Sequence, residues 1–205
     1  MKQALLFWTL ALAALACVGG LLCPDGYCGL SVLDREGLRI AHEFRNEGLD
    51  RFMAAVTWLG SLWLLLPLFA LVGVVLWRRD RRLAAFPLLS LLGATALSHV
   101  FKQIFERPRP DLYPVLGHLP LDASYPSAHT MQAVAAALAL LVLAGRRGPY
   151  WATWLLALAA LVAWSRLHLQ VHFPSDVLAG AIAAGLWVAG LHRMLWLDNP
   201  PRKGG

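Results

Sequence analysis

The chain predicts an all-α fold: a polytopic membrane helix bundle of six transmembrane helices, with an interfacial helix in the first outer loop. Three observations predict it. Hydrophobic residues fill 59% of the 205 positions and charged residues only 15%, a balance that excludes an ordinary soluble domain. The mean hydropathy is +0.58. The apolar residues gather in six stretches that approach the roughly 20 residues a helix needs to cross a hydrocarbon core.

The spans are expected at about 4–22, 54–77, 83–101, 128–145, 149–165 and 177–197, within a single domain covering 1–205. The first needs separate thought, because Lys2, an apolar run and Ala14-Leu15-Ala16 before Cys17 resemble a signal-peptidase or lipoprotein site. The apolar run continues through Leu22 behind one basic residue, so an uncleaved span is expected. Cys23 and Cys28 follow it, as a bridge or as two free thiols; Cys17 reads as a small residue packed in a helix.

Residues 31–51 differ in kind. Val32, Leu33, Leu38, Ile40, Ala41, Phe44, Leu49 and Phe52 alternate with charges, the pattern of a helix lying in the interface plane, or of a solvated loop with short helical pieces. Trp58, Trp77, Trp151, Trp164 and Trp196 fall near span ends, where indole rings favour the interface. The tail after Asp198 (NPPRKGG) is expected to be disordered.

The net charge of +6 does not require a nucleic acid partner. Arg78, Arg79, Arg81 and Arg82 lie between two spans, as do Arg146 and Arg147, and such clusters in short loops mark the cytoplasmic side. Lys2, Arg202 and Lys203 join them on that face when both termini are inside. Arg35, Arg39, Arg45 and Arg51 fall in the first outer loop, where acidic residues balance them. The opposite face then collects three polar stretches, 102–110 (KQIFERPRP), 126–129 (PSAH) and 165–176 (SRLHLQVHFPSD).

In the first stretch the prolines of Arg107-Pro108-Arg109-Pro110 end a helix and extend the preceding arginines. Lys102 and one of the two arginines can then turn toward a shared anion; spacing alone does not choose between Arg107 and Arg109. In the second, Pro126 precedes a helix start that Ser127 can cap. The first amides there, Ala128 included, lack internal partners and suit a phosphate oxygen. His129, one turn in, can lend a proton to a leaving oxygen. Alone, this triplet reads better as a capping serine beside a polar helix-end histidine.

The third stretch changes the balance. An imidazole beside a buried carboxylate is held in one tautomer and becomes a better nucleophile or base, and His172 with Asp176 has that form. Arg166 can neutralise oxygen charge in the transition state. A competing reading takes His168, His172 and Asp176, each four residues after the last, as metal ligands on one helix. Pro174 argues against a continuous helix there, and no metal is expected. His42, His99, His118 and His192 form no comparable constellation.

In order and spacing, Lys102 with Arg109-Pro110, then Pro126-Ser127-Ala128-His129, then Ser165-Arg166 with His172 and Asp176 resemble the type 2 phosphatidic acid phosphatase superfamily, which includes the vanadium haloperoxidases. The match covers the catalytic half directly, from about 102 to 176; the first span and loop fit only through topology. The resemblance implies that Lys102, Arg109 and Arg166 bind phosphate, assisted by Ser127 and the Ala128 amide. It implies that His129 protonates the leaving group and that His172 is the nucleophile, oriented by Asp176, without metal or other cofactor. It also selects Arg109 over Arg107. Ala128 departs from the family's usual glycine, which predicts altered rate or selectivity.

Helix-end groups at the outer interface favour a lipid phosphate over a soluble ester. Among the lipids on which the family acts, undecaprenyl diphosphate and phosphatidylglycerol phosphate are preferred; phosphatidic acid and lipid A phosphates are the alternatives. The expected setting is a bacterial inner membrane with the site on the extracytoplasmic face. A haloperoxidase fits poorly with a lipid-embedded site. A transporter, using the intramembrane charges as an ion path, or an inactive relative is the rival of another class.

Overall fold

The computed structural model describes residues 1–117 and 120–197, and every regular element among them is helical. Helix α1 spans Lys2–Leu22 and ends at Cys23, which is bridged to Cys28. Two amphipathic helices follow, α2 (Val32–Glu43) and α3 (Glu47–Val56). The apolar segments form α4 (Leu62–Leu76), α5 (Arg81–Phe105), α6 (Ala128–Ala144), α7 (Gly148–His168) and α8 (Pro174–His192). A wide π-type turn closes the described chain at Arg193–Leu197.

Among the described residues, four helical stretches are long and apolar enough to cross a membrane: Lys2–Leu22, Arg81–Phe105, Ala128–His168 and Pro174–Trp196. A fifth is counted if Glu47–Gly60 and Leu62–Leu76, bent by 42°, act as one. The Ala128–His168 stretch has 41 residues, about twice what one crossing needs. It is broken at Gly145, whose φ of 53° lies in the left-handed region open to glycine, and α7 folds back against α6.

The expected second span, 54–77, is not one helix. Val56 begins a tighter turn, Thr57–Gly60, and Ser61 starts α4 afresh by accepting the Trp63 amide. A side chain at position 60 would strike Val162 and the His129 carbonyl, 2.5 and 2.9 Å from a Cβ there. The break thus lets the chain pass close to the start of α6. Helices α5 and α7 run further than expected, so Lys102, Ser165 and Arg166 lie in their last turns.

Helix α6 is central, packed against α5, α7 and α8, with α1 laid along α8 and α4 along α5. Phe69, Phe86, Leu91, Met131, Ala135, Ala183 and Val188 form the core. The abundance of alanine on α6 and α8 allows close helix approach, as small residues do where no hydrophobic force drives helices together in lipid. Trp196 packs edge-on against buried Phe86. The expectation for the tail falls on 199–205, outside the described residues, as does His118.

The segment 31–51, expected to hold an interfacial helix or short helical pieces in a loop, forms α2 and the first half of α3. Ser31 and Asn46 cap them by accepting the amides of Asp34 and Leu49. Helix α2 packs on α7 and α8, and α3 on α7. Together they lie over the bundle end where the three motif stretches meet.

Candidate active site

The loop joining α7 to α8 carries the central histidine. Helix α7 ends at His168, and Pro174, tolerated at the first helical position, starts α8. His168, His172 and Asp176 therefore do not share a helix face. His168 turns away to Asp50, its Nε2 2.7 Å from Oδ1, while His172 is fully buried among the motif residues.

The two ring nitrogens of His172 face different partners. Nε2 lies 3.3 Å from Arg109 Nη1. Nδ1 lies 3.5 Å from Asp176 Oδ2 and 3.4 Å from Ser124 Oγ. Burial pushes the imidazole well below its ordinary pKa, and the charges of Arg109, Arg166, Lys102 and His129 add to that. Neutral imidazole with one nitrogen toward a carboxylate and the other toward a cation cluster is a competent nucleophile.

Asp176 has closer partners than the histidine. Its Oδ1 accepts from Arg107 Nη1 at 2.6 Å; its Oδ2 accepts from Ser124 Oγ at 2.5 Å and from the Phe173 amide at 2.9 Å. Arg107 also donates to Asp34 Oδ2 at 2.8 Å and to Ser175 Oγ, with Phe173 stacked 4.0 Å from its guanidinium. Asp34 in turn accepts the Ser175 amide. One buried arginine between two buried carboxylates, with donors on the remaining oxygens, is the arrangement in which buried charge is tolerated. Arg107 is therefore held behind Asp176, away from any anion at His172.

Arg109 faces the other way. Its Nη1 donates to the Val171 carbonyl at 2.6 Å, its Nε to the Asp122 carbonyl at 2.9 Å, and its Nη2 to the Asp122 carboxylate at 2.6 Å. Lys102 donates to the Ala123 carbonyl and lies 3.2 Å from the other Asp122 oxygen. Beside them opens a cavity of about 570 Å³, lined by His99, Lys102, Gln103, Arg109, Leu121 and Asp122 among others.

Arg166 is buried, donates Nη1 to Thr57 Oγ1 at 2.6 Å, and leaves Nε without a partner among the described residues. A buried guanidinium nitrogen with no acceptor is costly unless an anion meets it. Ser127 starts α6, but its side chain does not cap the helix; it accepts instead from Thr130 Oγ1 at 3.0 Å. The N-terminal amides of α6 are thus left for another acceptor. Its backbone is close to α8, where a Cβ at Gly180 would come within 3.2 Å of the Ser127 carbonyl. His129 lies within reach of the charges of Arg166, Arg109, Lys102 and Asp122.

The structure thus gathers Lys102, Arg109, His129, Arg166 and His172 about one point, with Ser127 and Ala128 at the adjoining helix start and Asp176 behind. Sequence reasoning missed Ser124, Asp34, Asp122 and the structural role of Arg107. A signal existed for Asp34: it shares the i, i+4, i+7 face of α2 with buried Leu38 and Ala41, and a carboxylate in a buried stripe requires a partner.

Residues 83–200 match the PAP2 superfamily. Undecaprenyl-diphosphatase of Sulfolobus acidocaldarius is 29% identical over 161 residues, 76% of this chain and 74% of that protein. Phosphatidylglycerophosphatase B of Bacillus subtilis is 30% identical over 144 residues, 66% and 70% of the two. A crystal structure of a transmembrane PAP2-type phosphatidylglycerolphosphate phosphatase from Bacillus subtilis has the same fold, with a TM-score of 0.80 over 98% of this chain and 100% of that one, at 24% identity. Aquifex aeolicus LpxE gives 0.66 over 79% and 96%, at 27% identity. With more than half of its length matched, the chain belongs to the PAP2 superfamily, and by that membership it is a membrane lipid phosphate phosphatase.

Proposed function

We propose that the chain hydrolyses a phosphomonoester or diphosphate of a membrane lipid through a phosphohistidine intermediate, without a metal. The observation that carries this reading is His172, with Nε2 beside Arg109 and Nδ1 beside Asp176 and Ser124. Lys102, Arg109 and Arg166 hold the phosphate oxygens, with Ser127 and the Ala128 amide contributing donors at the helix start. Neutral His172 attacks phosphorus through Nε2 while the lipid oxygen leaves, taking a proton from His129. The imidazolium that forms is stabilised at Nδ1 by Asp176. Water then attacks the phosphohistidine, His129 accepts its proton, and inorganic phosphate departs.

The substrates named for the relatives support undecaprenyl diphosphate or phosphatidylglycerol phosphate, ahead of phosphatidic acid or a lipid A phosphate. Six crossings are consistent with the helices: α1, α4 together with the Thr57–Gly60 turn that precedes it, α5, α6, α7 and α8. With both termini inside, the basic loops face the cytoplasm and the site faces the outer side, in a bacterial inner membrane. The test is phosphate release by purified protein in detergent with chelator present, from those four lipid classes beside a soluble ester. Release from a lipid, lost in His172→Ala together with the acid-labile phosphoenzyme, is expected. Undiminished release by His172→Ala removes histidine from the nucleophile role, and reversible loss with chelator brings in a metal. No release from any lipid leaves a transporter-like or inactive relative.

A further inference from the structure

We propose that Asp122 is a built-in competitor for the phosphate site, which admits dianionic phosphate ends and excludes the monoanionic phosphodiester headgroups of the surrounding bilayer. The inference rests on the phosphatase reading and adds a specificity-determining residue to it. Asp122 sits in the loop before α6, and its two carboxylate oxygens meet the two cations that the reaction assigns to phosphate: Oδ1 at 2.6 Å from Arg109 Nη2 and Oδ2 at 3.2 Å from Lys102 Nζ. The cations are buried, with side-chain exposures of 6% and 5%, whereas Asp122 is 53% exposed. An exposed acid spanning two buried cations is placed to swing out without disturbing the core. Burial works to raise its pKa, but Lys102 and Arg109 outweigh that and hold the carboxyl below its usual range; it stays an anion at neutral pH.

A cluster of cations at headgroup depth has a difficulty that a soluble enzyme does not meet. Phosphodiester lipids crowd the same interface, each with one negative charge, and bare cations would hold them. Exchanging the Asp122 carboxylate for a phosphodiester replaces one monoanion with another and gains no charge interaction. A tethered group also competes at an effective concentration on the order of millimolar without paying for association. A phosphomonoester or terminal diphosphate brings a second negative charge, engages Arg166 as well, and displaces the carboxylate. The cavity beside Asp122, lined by His99, Gln103 and Leu121, gives the released side chain room.

The experiment measures hydrolysis of a long-chain lipid phosphomonoester in mixed micelles, with phosphatidylglycerol as competing phosphodiester and orthovanadate as competing phosphate analogue. Wild type, Asp122→Asn and Asp122→Glu are compared, with vanadate protection against thermal unfolding as a readout independent of turnover. In Asp122→Asn, inhibition by phosphatidylglycerol is expected at a mole fraction at least tenfold lower than in wild type. Vanadate, which must displace the same carboxylate, should inhibit and protect it at lower concentration too, and Asp122→Glu should restore resistance to phosphatidylglycerol. Equal phosphatidylglycerol inhibition in wild type and Asp122→Asn overturns the inference. So does weaker vanadate protection of Asp122→Asn, which would make Asp122 a group that positions Lys102 and Arg109. A wild type that neither hydrolyses the lipid nor responds to vanadate overturns the phosphatase reading itself, a failure distinguishable from the other two.

Discussion

Arg107 Nη1 lies 2.6 Å from Asp176 Oδ1 with both side chains buried, so a cation stands behind the carboxylate that faces His172. Arg109, two residues on, stands in front of the same histidine. The two arginines of one Arg-Pro-Arg-Pro run therefore have opposite duties, and substitution separates them. Arg107→Met leaves Asp34 and Asp176 buried without their cation, a loss on the order of 3–5 kcal/mol. Thermal unfolding in detergent should register a large drop for Arg107→Met. Arg109→Met should unfold near the wild-type temperature while losing turnover. The reverse pattern would exchange the two assignments.

The helices and three motif blocks were legible because each is local: apolar runs of spanning length, prolines at helix ends, histidines and cations at fixed spacing. The network behind them was not. Asp34 and Arg107 are 73 positions apart, and only the docking of α2 on α8 brings them together. The break at Ser61 was also missed, since apolar residues continue on both sides of it and hydropathy does not register a bend. Asp122 sits in a loop between Leu121 and Ala123, where a carboxylate turned to solvent is the ordinary expectation; only folding shows that it lies on Lys102 and Arg109.

Ser124 offers a sharper probe of the histidine's orientation. Its hydroxyl donates to Asp176 and sits 3.4 Å from His172 Nδ1. A hydrogen bond to a charged group contributes about 1.5–3 kcal/mol, equivalent to a roughly ten- to hundredfold change in rate if it acts on the transition state. Ser124→Ala should lower kcat by that factor with KM nearly unchanged. A rise in KM at constant kcat would place the hydroxyl in substrate binding instead.

Ala128 begins α6, where the first amides lack helical partners, and it carries a methyl where the family usually has glycine. Ala128→Gly should raise kcat/KM severalfold toward the bulkiest lipid phosphate and less toward a soluble ester. Its stability cost should not exceed the roughly 0.5–1 kcal/mol of a glycine in a helix. Parallel changes for both substrates would mean that the methyl does not shape selectivity.

Acid should expose the burial of His172. Its imidazole is pushed well below 6.5, first by burial and then by Arg109 and the other cations, so the unfolded chain binds this proton at a higher pH than the folded one. Where the unfolded state holds more protons, stability rises with pH. His172 therefore costs nothing well above 6.5 and costs progressively more as the pH falls through 6.5 toward its folded value. The rate profile reads this poorly, because the second ionisation of a phosphate ester, near 6, bends it as well. Unfolding temperature is the cleaner measure. Between pH 8 and pH 5 wild type should lose more stability than His172→Gln, with the gap opening below about pH 6.5. Parallel curves would mean that His172 takes up its proton in the folded protein as readily as in the unfolded chain, and that burial does not keep it neutral for attack.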